Sequence, residues 1–445
     1  MQGMKNARLL FALLLLVAAA CGYPRPADVG DDGGPGDAPD PGVTIRVSPS
    51  GDDASDGLAS PVKTLKRAIA IAGTNTEIKT IALAAGRYSV QNGESFPYIV
   101  PNGITISGVP GGGSTFAGTR GEDGLRIENG QLQDLGLEDF MVATAITGRA
   151  ELTHIAIRSS KLAVRAEAGS KVTASKLELV GAVDACGSGV ELRDAAELVA
   201  NELTSRNLLT TLDARNMATV ELTKADITGD PRCTGNALWV TNLRSFTMRD
   251  SSVVGTYAGI ALDGNTTLPP VVFTNTTIRN INHPTVLSAS RVTLTMIGGE
   301  ISLNSGSPDA RSARWMLMNV RIVSNGGNGV YVSGPDAQSP GALTMRGCTV
   351  TNNRYGVSLF DYSAADLGTD ANPGNNIFQD NQFGGVLLYG IAGPQLVNAV
   401  GNTWIPEVQG ASGSGRYPTT STVSGPIQQA AGNNFEMWAG LSLRR

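Results

Sequence analysis

The dominant feature of the sequence is a column of aliphatic residues that returns about every two dozen positions. A fixed period of this length is typical of a stacked solenoid, in which each turn packs only on its neighbours. The column has nine members, namely Ile157, Leu179, Leu203, Ile227, Val253, Ile278, Ile301, Ile322 and Val350. We therefore predict stacked turns whose core contains these side chains.

Each turn is predicted to contain β-strands. The residues five and seven positions before each column member are also apolar, and polar residues such as Thr153, Thr223 and Arg249 lie between. A period of two places alternate side chains on one face of a strand, whereas helical repeats need apolar spacings of three and four. Later apolar pairs, such as Val330 and Val332, indicate a second strand per turn. The pattern predicts an all-β, parallel solenoid.

Glycine and asparagine mark the corners of this pattern. Glycine directly precedes the second strand at Gly189, Gly259, Gly329, Gly356 and Gly385. Because glycine tolerates positive φ, we expect tight left-handed corners there. Asparagine follows the aliphatic column at Asn280, Asn304, Asn325 and Asn353. We expect these asparagines to share hydrogen bonds along the stack.

The first 42 residues are predicted to lie outside the fold. Residues 1–20 contain Lys5, Arg8 and a short apolar run, and they resemble a bacterial lipoprotein signal that makes Cys21 the lipidated first residue. An ordinary secretory signal beside a free cysteine is the alternative. By the same resemblance, Gly22 favours the outer membrane of a Gram-negative bacterium, so the lipid anchor is the only expected membrane contact. Residues 21–42, rich in Gly, Pro and Asp, are predicted to be a flexible tether.

Residues 43–117 are predicted to form an entry module. Leu65, Ala68, Ile69 and Ala72 lie at helical spacing, and Thr64 is placed to cap the helix at its start. The helix can cover the open end of the solenoid, which would otherwise expose core and an unpaired strand edge.

The motifs of this module resemble those of a known family. They are Ser50-Gly-Asp, Gly86-Arg-Tyr and Gly93-Glu-Ser-Phe-Pro, in that order around the predicted helix. This order resembles the N-terminal module of a bacterial lipoprotein family of unknown function within the pectin-lyase-like right-handed parallel β-helix superfamily. The resemblance implies β-helix turns over 118–404, with 405–445 as a C-terminal capping segment, and a cell-surface setting. It implies no established activity.

The charge of the chain argues against nucleic acid as a partner. The formal net charge is −5, and no basic stripe follows the solenoid period. The phosphate-neutralising term that supplies nucleic-acid affinity is therefore missing.

Two cysteines are candidates for a disulfide. Cys186 and Cys233 lie 47 residues apart, which is two turns, so strict stacking would separate them by about 9.6 Å. The intervening turn has a short corner at 205–207, and the longer cysteine loops could close over it. A Cys186–Cys233 disulfide and two free thiols both remain open, and export favours the disulfide. Cys348 is expected to be a buried thiol.

No catalytic residue or cofactor is assigned. Relatives in the superfamily gather carboxylates for Ca²⁺ beside an Arg or Lys base, and Arg249 and Arg346 are the candidate bases by analogy. The best acidic column is Glu178, Glu202 and Asp226, which are weak candidates for a Ca²⁺ site. Because lysines accompany these carboxylates, a surface ion-pair lattice is the favoured interpretation.

Outward aromatic residues near the C-terminus suggest a binding surface. Alignment of the glycine corners places Ser333, Phe360 and Tyr389 in one column, and Tyr331, Ser358 and Leu387 in the next. Tyr331, Phe360, Asp361 and Tyr389 are therefore candidates for glycan or partner contact. The alternative is that the predicted loop 361–376 folds over these rings and buries them.

These observations predict an exported, lipid-anchored envelope protein with a non-catalytic binding or structural role, whose partner is a polysaccharide or a surface molecule. A polysaccharide lyase or hydrolase on the same fold is the first rival. A component of cell adhesion or self-assembly is the second.

Overall fold

A computed structural model describes residues 43–111, 113–182, 185–230, 232–265, 267–389, 397–405 and 437–438. These residues wind into a parallel β-solenoid of about twelve turns, with one α-helix, Leu65–Ala72, near its start. The predicted fold class is confirmed. A short 3₁₀ helix covers Val90–Asn92. Among the described residues, no helix has the length and apolar character needed to cross a membrane.

Three parallel sheets run along the solenoid. The first sheet contains the strands Val43–Val47, Ile78–Leu83, Ile104–Ser107, Thr219–Thr223, Ser245–Arg249, Pro270–Thr274, Thr293–Ile297, Arg314–Met318, Gly341–Arg346, Ser363–Asp366 and Val397–Asn398. The second contains Gly86–Ser89, Ser114–Ala117, Asp226–Thr228, Ser252–Val254, Thr277–Arg279, Glu300–Ser302, Arg321–Val323, Thr349–Thr351, Ile377–Gln379 and Thr403–Ile405. The third contains Tyr98–Val100, Leu162–Ala166, Gly187–Leu192, Leu208–Arg215, Asn236–Thr241, Ala258–Asp263, Thr285–Ser290, Ser307–Arg311, Val330–Gly334, Tyr355–Asp361, Gly384–Tyr389 and Met437–Trp438.

Four longer strands bend from one sheet into the next. They are Leu125–Glu138, Val142–Arg158, Lys171–Val180 and Glu197–Arg206. Lys171–Val180, for example, pairs its first half within the first sheet and its second half within the second. Each turn thus has three faces, and side chains from all three meet in one core.

The register of the sheets stacks like residues on one another. One column of the first sheet runs unbroken through Ile45, Ile81, Ile106, Leu132, Leu152, Ala174, Ala200, Leu222, Met248, Phe273, Met296, Leu317 and Met345. All of these side chains are buried. Burial of this apolar surface, worth about 25 cal/mol per Å², is the main force that holds the turns together.

The predicted aliphatic column is wrong at one member. Leu179 stacks on Ser205, and Ser205 stacks on Ile227, whereas Leu203 stacks on Leu177. Leu203 is still fully buried, because a shift of two residues along a strand keeps the same face inward. The other eight members lie in register as predicted.

The prediction of two strands per turn is also corrected. One residue with positive φ bends the predicted first strand, so that its two halves belong to the first and second sheets. These bend residues form a left-handed column of Asp134, His154, Lys176, Glu202, Lys224, Asp250, Asn275, Gly298, Asn319, Gly347, Asn375 and Gly401. Because a single left-handed residue turns the chain sharply, the first and second sheets meet at a corner, which we call the elbow.

Glycine is required at the predicted corners for a different reason from the one expected. Gly189, Gly259, Gly329 and Gly356 are absent from the residues with positive φ. Instead, a Cβ atom on Gly259 would lie 2.0 Å from the carbonyl oxygen of Val286, and one on Gly329 would lie 2.3 Å from that of Gly356. Glycine is needed here because the backbone of the next turn approaches too closely for any side chain.

An asparagine ladder lies in the core after the second sheet. The side-chain nitrogen of Asn304 donates to the side-chain oxygen of Asn325 (2.8 Å), Asn325 donates to Asn353 (2.9 Å), and Asn353 donates to Asn381 (3.2 Å). Asn280 is not a member: it is exposed, and the backbone N–H of Ile281 donates to Asn304 in its place. The predicted ladder is therefore confirmed for three of its four asparagines and is continued by Asn381.

The family-like motifs of the entry module hold the helix in place. Thr64 caps the helix by accepting a hydrogen bond from the N–H of Arg67, and Asp53 accepts from the N–H groups of Lys63 and Thr64. From the third motif, Glu94 accepts from the N–H of Leu65 at 3.0 Å. The predicted helix and its cap are thus confirmed.

The C-terminal turns differ from the prediction in one segment. The predicted loop 361–376 contains the strand Ser363–Asp366, which continues the first sheet beneath Gly341–Arg346. Trp404 stacks on Phe378 with ring centroids 4.4 Å apart, and Met437–Trp438 pairs antiparallel with the last strand of the third sheet. Phe378 and Trp404 thereby extend the aliphatic column with aromatic rings. Most of the predicted capping segment 405–445 lies outside the described residues.

Candidate functional site

The outward face of the third sheet carries the most unusual side chains of the described surface. One of its columns runs in register through Glu191, Asp213, Trp239, Ala261, Ser288, Asp309 and Tyr331. Trp239 lies between the buried residues Leu238 and Val240, and 44% of its surface is exposed. Tryptophan is usually well buried, so an exposed one on a regular strand indicates a contact surface.

Polar side chains line one side of Trp239, and small ones line the other. The guanidinium carbon of Arg215 lies 5.7 Å from the centroid of the indole ring, and Arg215 is held there by Asp213 at 2.8 Å. On the next two turns, Ala261 and Ser288 follow Trp239 in register. Because these side chains are short, a shallow depression follows the tryptophan along the sheet.

The predicted pair Tyr331 and Phe360 closes this depression at its far end. Their ring centroids are 4.7 Å apart, and their planes are inclined by 29°. Burial and the carboxylate of Asp309 both raise the pKa of Tyr331, so its hydroxyl stays neutral near pH 7. Arg311 pairs with Asp309 at 2.7 Å. Asp361 is exposed directly after Phe360, at a left-handed corner.

Two residues beside this pair were predicted to be exposed on the outward face but are buried. Tyr331, Ser358 and Leu387 do stack in one column, but Ser358 is 0% exposed and Leu387 is 8% exposed. A small side chain between two bulky ones is covered by them. Tyr389 follows Phe360 in register through the backbone, and its side chain lies outside the described residues. Sequence reasoning missed Trp239, although its position between two inward residues was a usable signal.

A disulfide joins two of the loops that lead into strands of this face. Cys186 and Cys233 are bonded, with their Cα atoms 5.7 Å apart. Cys186 directly precedes the strand Gly187–Leu192, and Cys233 lies three residues before the strand that carries Trp239. The intervening strand begins at Leu208, almost directly after the previous strand ends at Arg206, so the two cysteine loops can meet across it. Cys348 is buried, as expected of a structural thiol.

The weak metal candidates do not form a carboxylate column. Glu178 stacks on Thr204, and Thr204 stacks on Asp226, while Glu202 lies in the left-handed column. Each of the two glutamates has a cationic partner, since Arg158 lies 2.8 Å from Glu178 and Lys224 lies 3.4 Å from Glu202. Among the residues that the structure describes, no group of three or more His, Cys, Asp or Glu side chains is placed to hold a metal ion. The geometry matches a surface ion-pair lattice.

The candidate bases are also placed differently from the expectation. Arg346 is largely buried and pairs with Asp366 at 2.7 Å, although no acidic neighbour was expected for it. Asp366 lies in the strand that was predicted to be loop, which is why the pair was missed. The ion pair connects two neighbouring strands of the first sheet.

The fold and its motifs define a right-handed parallel β-helix. Residues 236–400 match the family described as "Right handed beta helix region". Residues 49–280, more than half of the chain, match the family described as "Protein of unknown function (DUF1565)", and the chain belongs to that family. No curated protein matches the sequence.

Several solved structures are similar in fold at low sequence identity. The catalytic unit of a thermostable GH87 alpha-1,3-glucanase from Streptomyces thermodiastaticus is 12% identical, with a TM-score of 0.46 over 80% of this chain and 68% of that chain. A PL6 alginate lyase in complex with a trisaccharide is 12% identical, with a TM-score of 0.42 over 82% of this chain and 86% of that chain. The A-module of a mannuronan C-5 epimerase from Azotobacter vinelandii is 15% identical, with a TM-score of 0.32 over 85% of this chain and 100% of that chain.

Proposed function

We propose that the protein is an exported, lipid-anchored protein of the cell envelope whose third-sheet face binds a glycan without catalysis. The observation that carries the proposal is the pair of aromatic groups on that face. Trp239 stands at one end of the depression, and the stacked rings of Tyr331 and Phe360 stand at the other. Trp239 and Tyr331 lie four strand steps apart in register, or about 19 Å.

This arrangement suits a short stretch of sugar rings. Aromatic faces offer flat apolar contact to the ring carbons, and nearby polar groups can bind hydroxyls. Ser288 and the Asp309–Arg311 pair supply such groups between the aromatic ends. An apolar or peptide ligand would instead need a larger apolar groove or an unpaired strand edge.

The carboxylates of this face support a non-catalytic role. Four of them are paired with arginines: Asp213 with Arg215, Asp263 with Arg291, Asp309 with Arg311, and Glu191 with Arg165 and Arg193. Glycoside hydrolysis needs one carboxyl group as an acid and a second as a base or nucleophile at a defined separation. Arginine pairing favours the ionised form of a carboxyl group and therefore opposes the acid role, although burial raises the pKa of Asp309 in spite of Arg311.

Export and lipidation are supported by the sequence signal and by the disulfide. Disulfides persist in oxidising compartments, so the Cys186–Cys233 bond favours a periplasmic or surface location. Cys21 and the tether lie outside the described residues. We expect Cys21→Ser to abolish labelling by a fatty-acid analogue. Unchanged labelling of this variant would contradict lipidation at Cys21.

Glycan binding is tested with the detergent-solubilised full-length protein on a glycan array. We expect Trp239→Ala and Tyr331→Ala each to weaken binding of the best ligand about tenfold, or about 1.4 kcal/mol, through loss of ring contact. Met316→Ala, which removes an exposed side chain from the first sheet, is the matched control and should bind normally. Equal binding by all variants would refute the site. Release of unsaturated sugars from the ligand would favour the polysaccharide lyase instead.

A further inference from the structure

The charged side chains along the depression of the third-sheet face are paired with one another. They form the ion pairs Asp213–Arg215, Asp263–Arg291 and Asp309–Arg311, with hydrogen bonds of 2.8, 2.7 and 2.7 Å. Arg291 contacts both carboxylate oxygens of Asp263 near the centre of the depression. A guanidinium group held in this way has little attraction left for a further anion, because the carboxylate beside it repels that anion. The depression therefore offers no free cation to a ligand.

The remaining side chains between the aromatic ends are short and uncharged. Two neighbouring outward columns run in register from the turn of Trp239 to the turn of Tyr331. Apart from the ion pairs, the members between these turns and beside Trp239 are Thr241, Ala261, Ser288 and Ser290. A hydroxyl group both donates and accepts hydrogen bonds, as the hydroxyls of a sugar do. The depression can thus bind hydroxyls where it cannot bind a charge.

The aromatic ends are placed for a straight ligand. The strands pair parallel and in register at each step from Trp239 to Tyr331, so the depression follows the solenoid axis. The guanidinium group of Arg215 lies beside the indole on the preceding turn, whereas the short side chain of Ala261 leaves the indole open toward the following turn. Trp239 therefore presents an accessible side to the depression. A ligand that coils would contact only one aromatic end.

We propose that the third-sheet face selects an uncharged, extended glycan, such as a β-1,4-linked chain of neutral hexoses, and discriminates against an acidic one. This inference rests on the proposed glycan-binding function and names the class of ligand within it. A polyuronate would lose hydration of its carboxylates on this face and would gain no free cation in return. A neutral chain has no such cost, and its ring carbons can stack on Trp239 and Tyr331 while its hydroxyls face Ser288 and Ser290.

The test is calorimetric titration of the full-length protein, solubilised in a detergent without a sugar head group. The ligands are hexamers of β-1,4-linked glucose, α-1,4-linked glucose and galacturonate. We expect the β-linked glucose hexamer to bind about tenfold more tightly than either of the others, and its affinity to stay constant from about 0.05 M to about 0.5 M salt. Trp239→Ala should weaken its binding. The corresponding trimer should bind about tenfold more weakly, because it is too short to contact both aromatic ends.

A single substitution should admit the acidic hexamer. Asp263→Asn keeps the size of the side chain and frees Arg291 in the depression. We expect this variant to bind the galacturonate hexamer about tenfold more tightly than wild type does, and we expect rising salt to cancel the gain. The matched control is Glu197→Gln, which removes the same charge and frees Lys171 on the first sheet. The control should bind each hexamer as wild type does.

The remaining outcomes decide against this class of ligand. Binding of the galacturonate hexamer as tight as that of the β-linked glucose hexamer, and lost in Trp239→Ala, would overturn the inference and leave glycan binding at this face intact. Equal binding of the α-linked glucose hexamer would overturn the extended shape. An equal gain in Glu197→Gln, or no gain in Asp263→Asn, would refute charge pairing as the cause. No binding of any hexamer at millimolar concentration would also overturn the inference, and the proposed function would fall with it only if the glycan array gave no ligand that depends on Trp239. Matching thermal midpoints show that the variants are folded.

Discussion

At the residue scale, Glu94 of the third family motif is a buried carboxyl group that accepts several hydrogen bonds. It is 3% exposed, it accepts from the N–H of Leu65 at the start of the helix, and it accepts from the hydroxyl of Tyr98. Burial raises its pKa, and the hydrogen bonds from Tyr98 and Leu65 oppose that rise only in part. The third motif thus connects the helix with the first turn of the third sheet, which gives it a structural explanation.

A pH-dependent loss of stability follows from Glu94. Because its folded-state pKa lies above the ordinary 4.5, the folded protein holds this proton more tightly than the unfolded chain does. Its contribution to stability is therefore fully present below that ordinary value and is lost as the pH rises through the raised one. We expect Glu94→Gln, which keeps an acceptor for Leu65, to gain in thermal midpoint relative to wild type from about pH 4 to about pH 8.

The control for this prediction is Glu94→Ala. It removes both accepting oxygens and leaves the N–H of Leu65 without its side-chain partner, at a cost of about 1–3 kcal/mol at every pH. Parallel pH profiles for wild type and Glu94→Gln would contradict the assignment.

The prediction from the sequence failed at Leu203, where two alignments of the strand with its neighbours both place the same face inward. Leu203 and Ser205 both point inward, and the pattern selected the leucine because it is the more apolar. Ser205 is satisfied in the core by Thr211, whose hydroxyl lies 2.8 Å away. The partner belongs to the next strand, so no local signal could reveal it.

At the element scale, the asparagine ladder is the clearest device that fixes the register of the turns. Asn325 accepts from the backbone and side-chain nitrogens of Asn304, and it donates to the carbonyl oxygen of Ile301 and to the side chain of Asn353. All of these groups are buried. Asn325 therefore satisfies backbone groups of the preceding turn as well as the neighbouring asparagines of the stack.

Breaking the ladder in the middle should be costly. We expect Asn325→Ala to lower the free energy of unfolding by about 2 kcal/mol, since it leaves the backbone N–H of Asn304 without its acceptor in the core and removes the side-chain bonds to Asn304 and Asn353. Asn280→Gly is the control: Asn280 is exposed with positive φ, which glycine adopts freely, so its midpoint in urea should barely change. Equal losses in both variants would contradict a role for the ladder.

The number of strands per turn could not be predicted from side-chain alternation alone. One left-handed residue bends the strand without changing the inward or outward order of its neighbours. In the later turns this residue is Asn275, Gly298 or Gly347, which is a readable signal, whereas in the earlier turns His154 and Lys176 occupy it. These residues rarely adopt positive φ, so the bend there is imposed by stacking on neighbouring turns.

At the scale of the whole molecule, the regular spacing of aliphatic residues alone predicted the solenoid. The helical spacing of apolar residues after Thr64 predicted the helix near its start. The candidate site was predicted only in part. Tyr331 and Phe360 were found because glycine corners aligned them, but Trp239 is four turns away, and its depression depends on the small side chains of Ala261 and Ser288.

The disulfide bears on the stability of the middle turns. We expect the double variant Cys186→Ser, Cys233→Ser to lose about 2–4 kcal/mol and to be cut earlier by protease in the loops before the strands Gly187–Leu192 and Asn236–Thr241. Alkylation of the native protein should add two further groups after reduction. The Cys348→Ser variant separates this effect from that of the buried thiol, and labelling of both cysteines without reductant would contradict the bond.

The side chains of the first-sheet column change in size along the axis. Ala174 and Ala200 stack in its middle, while Phe273 and Met296 stack further on, beside the buried rings of Phe246 and Trp315. A close-packed interior tolerates neither gaps nor crowding at such contacts. Individual turns are therefore not interchangeable: copying the turn of Phe273 as a unit, for example, would set phenylalanine on phenylalanine. Lengthening this protein by internal duplication would require compensating substitutions on both sides of the copy.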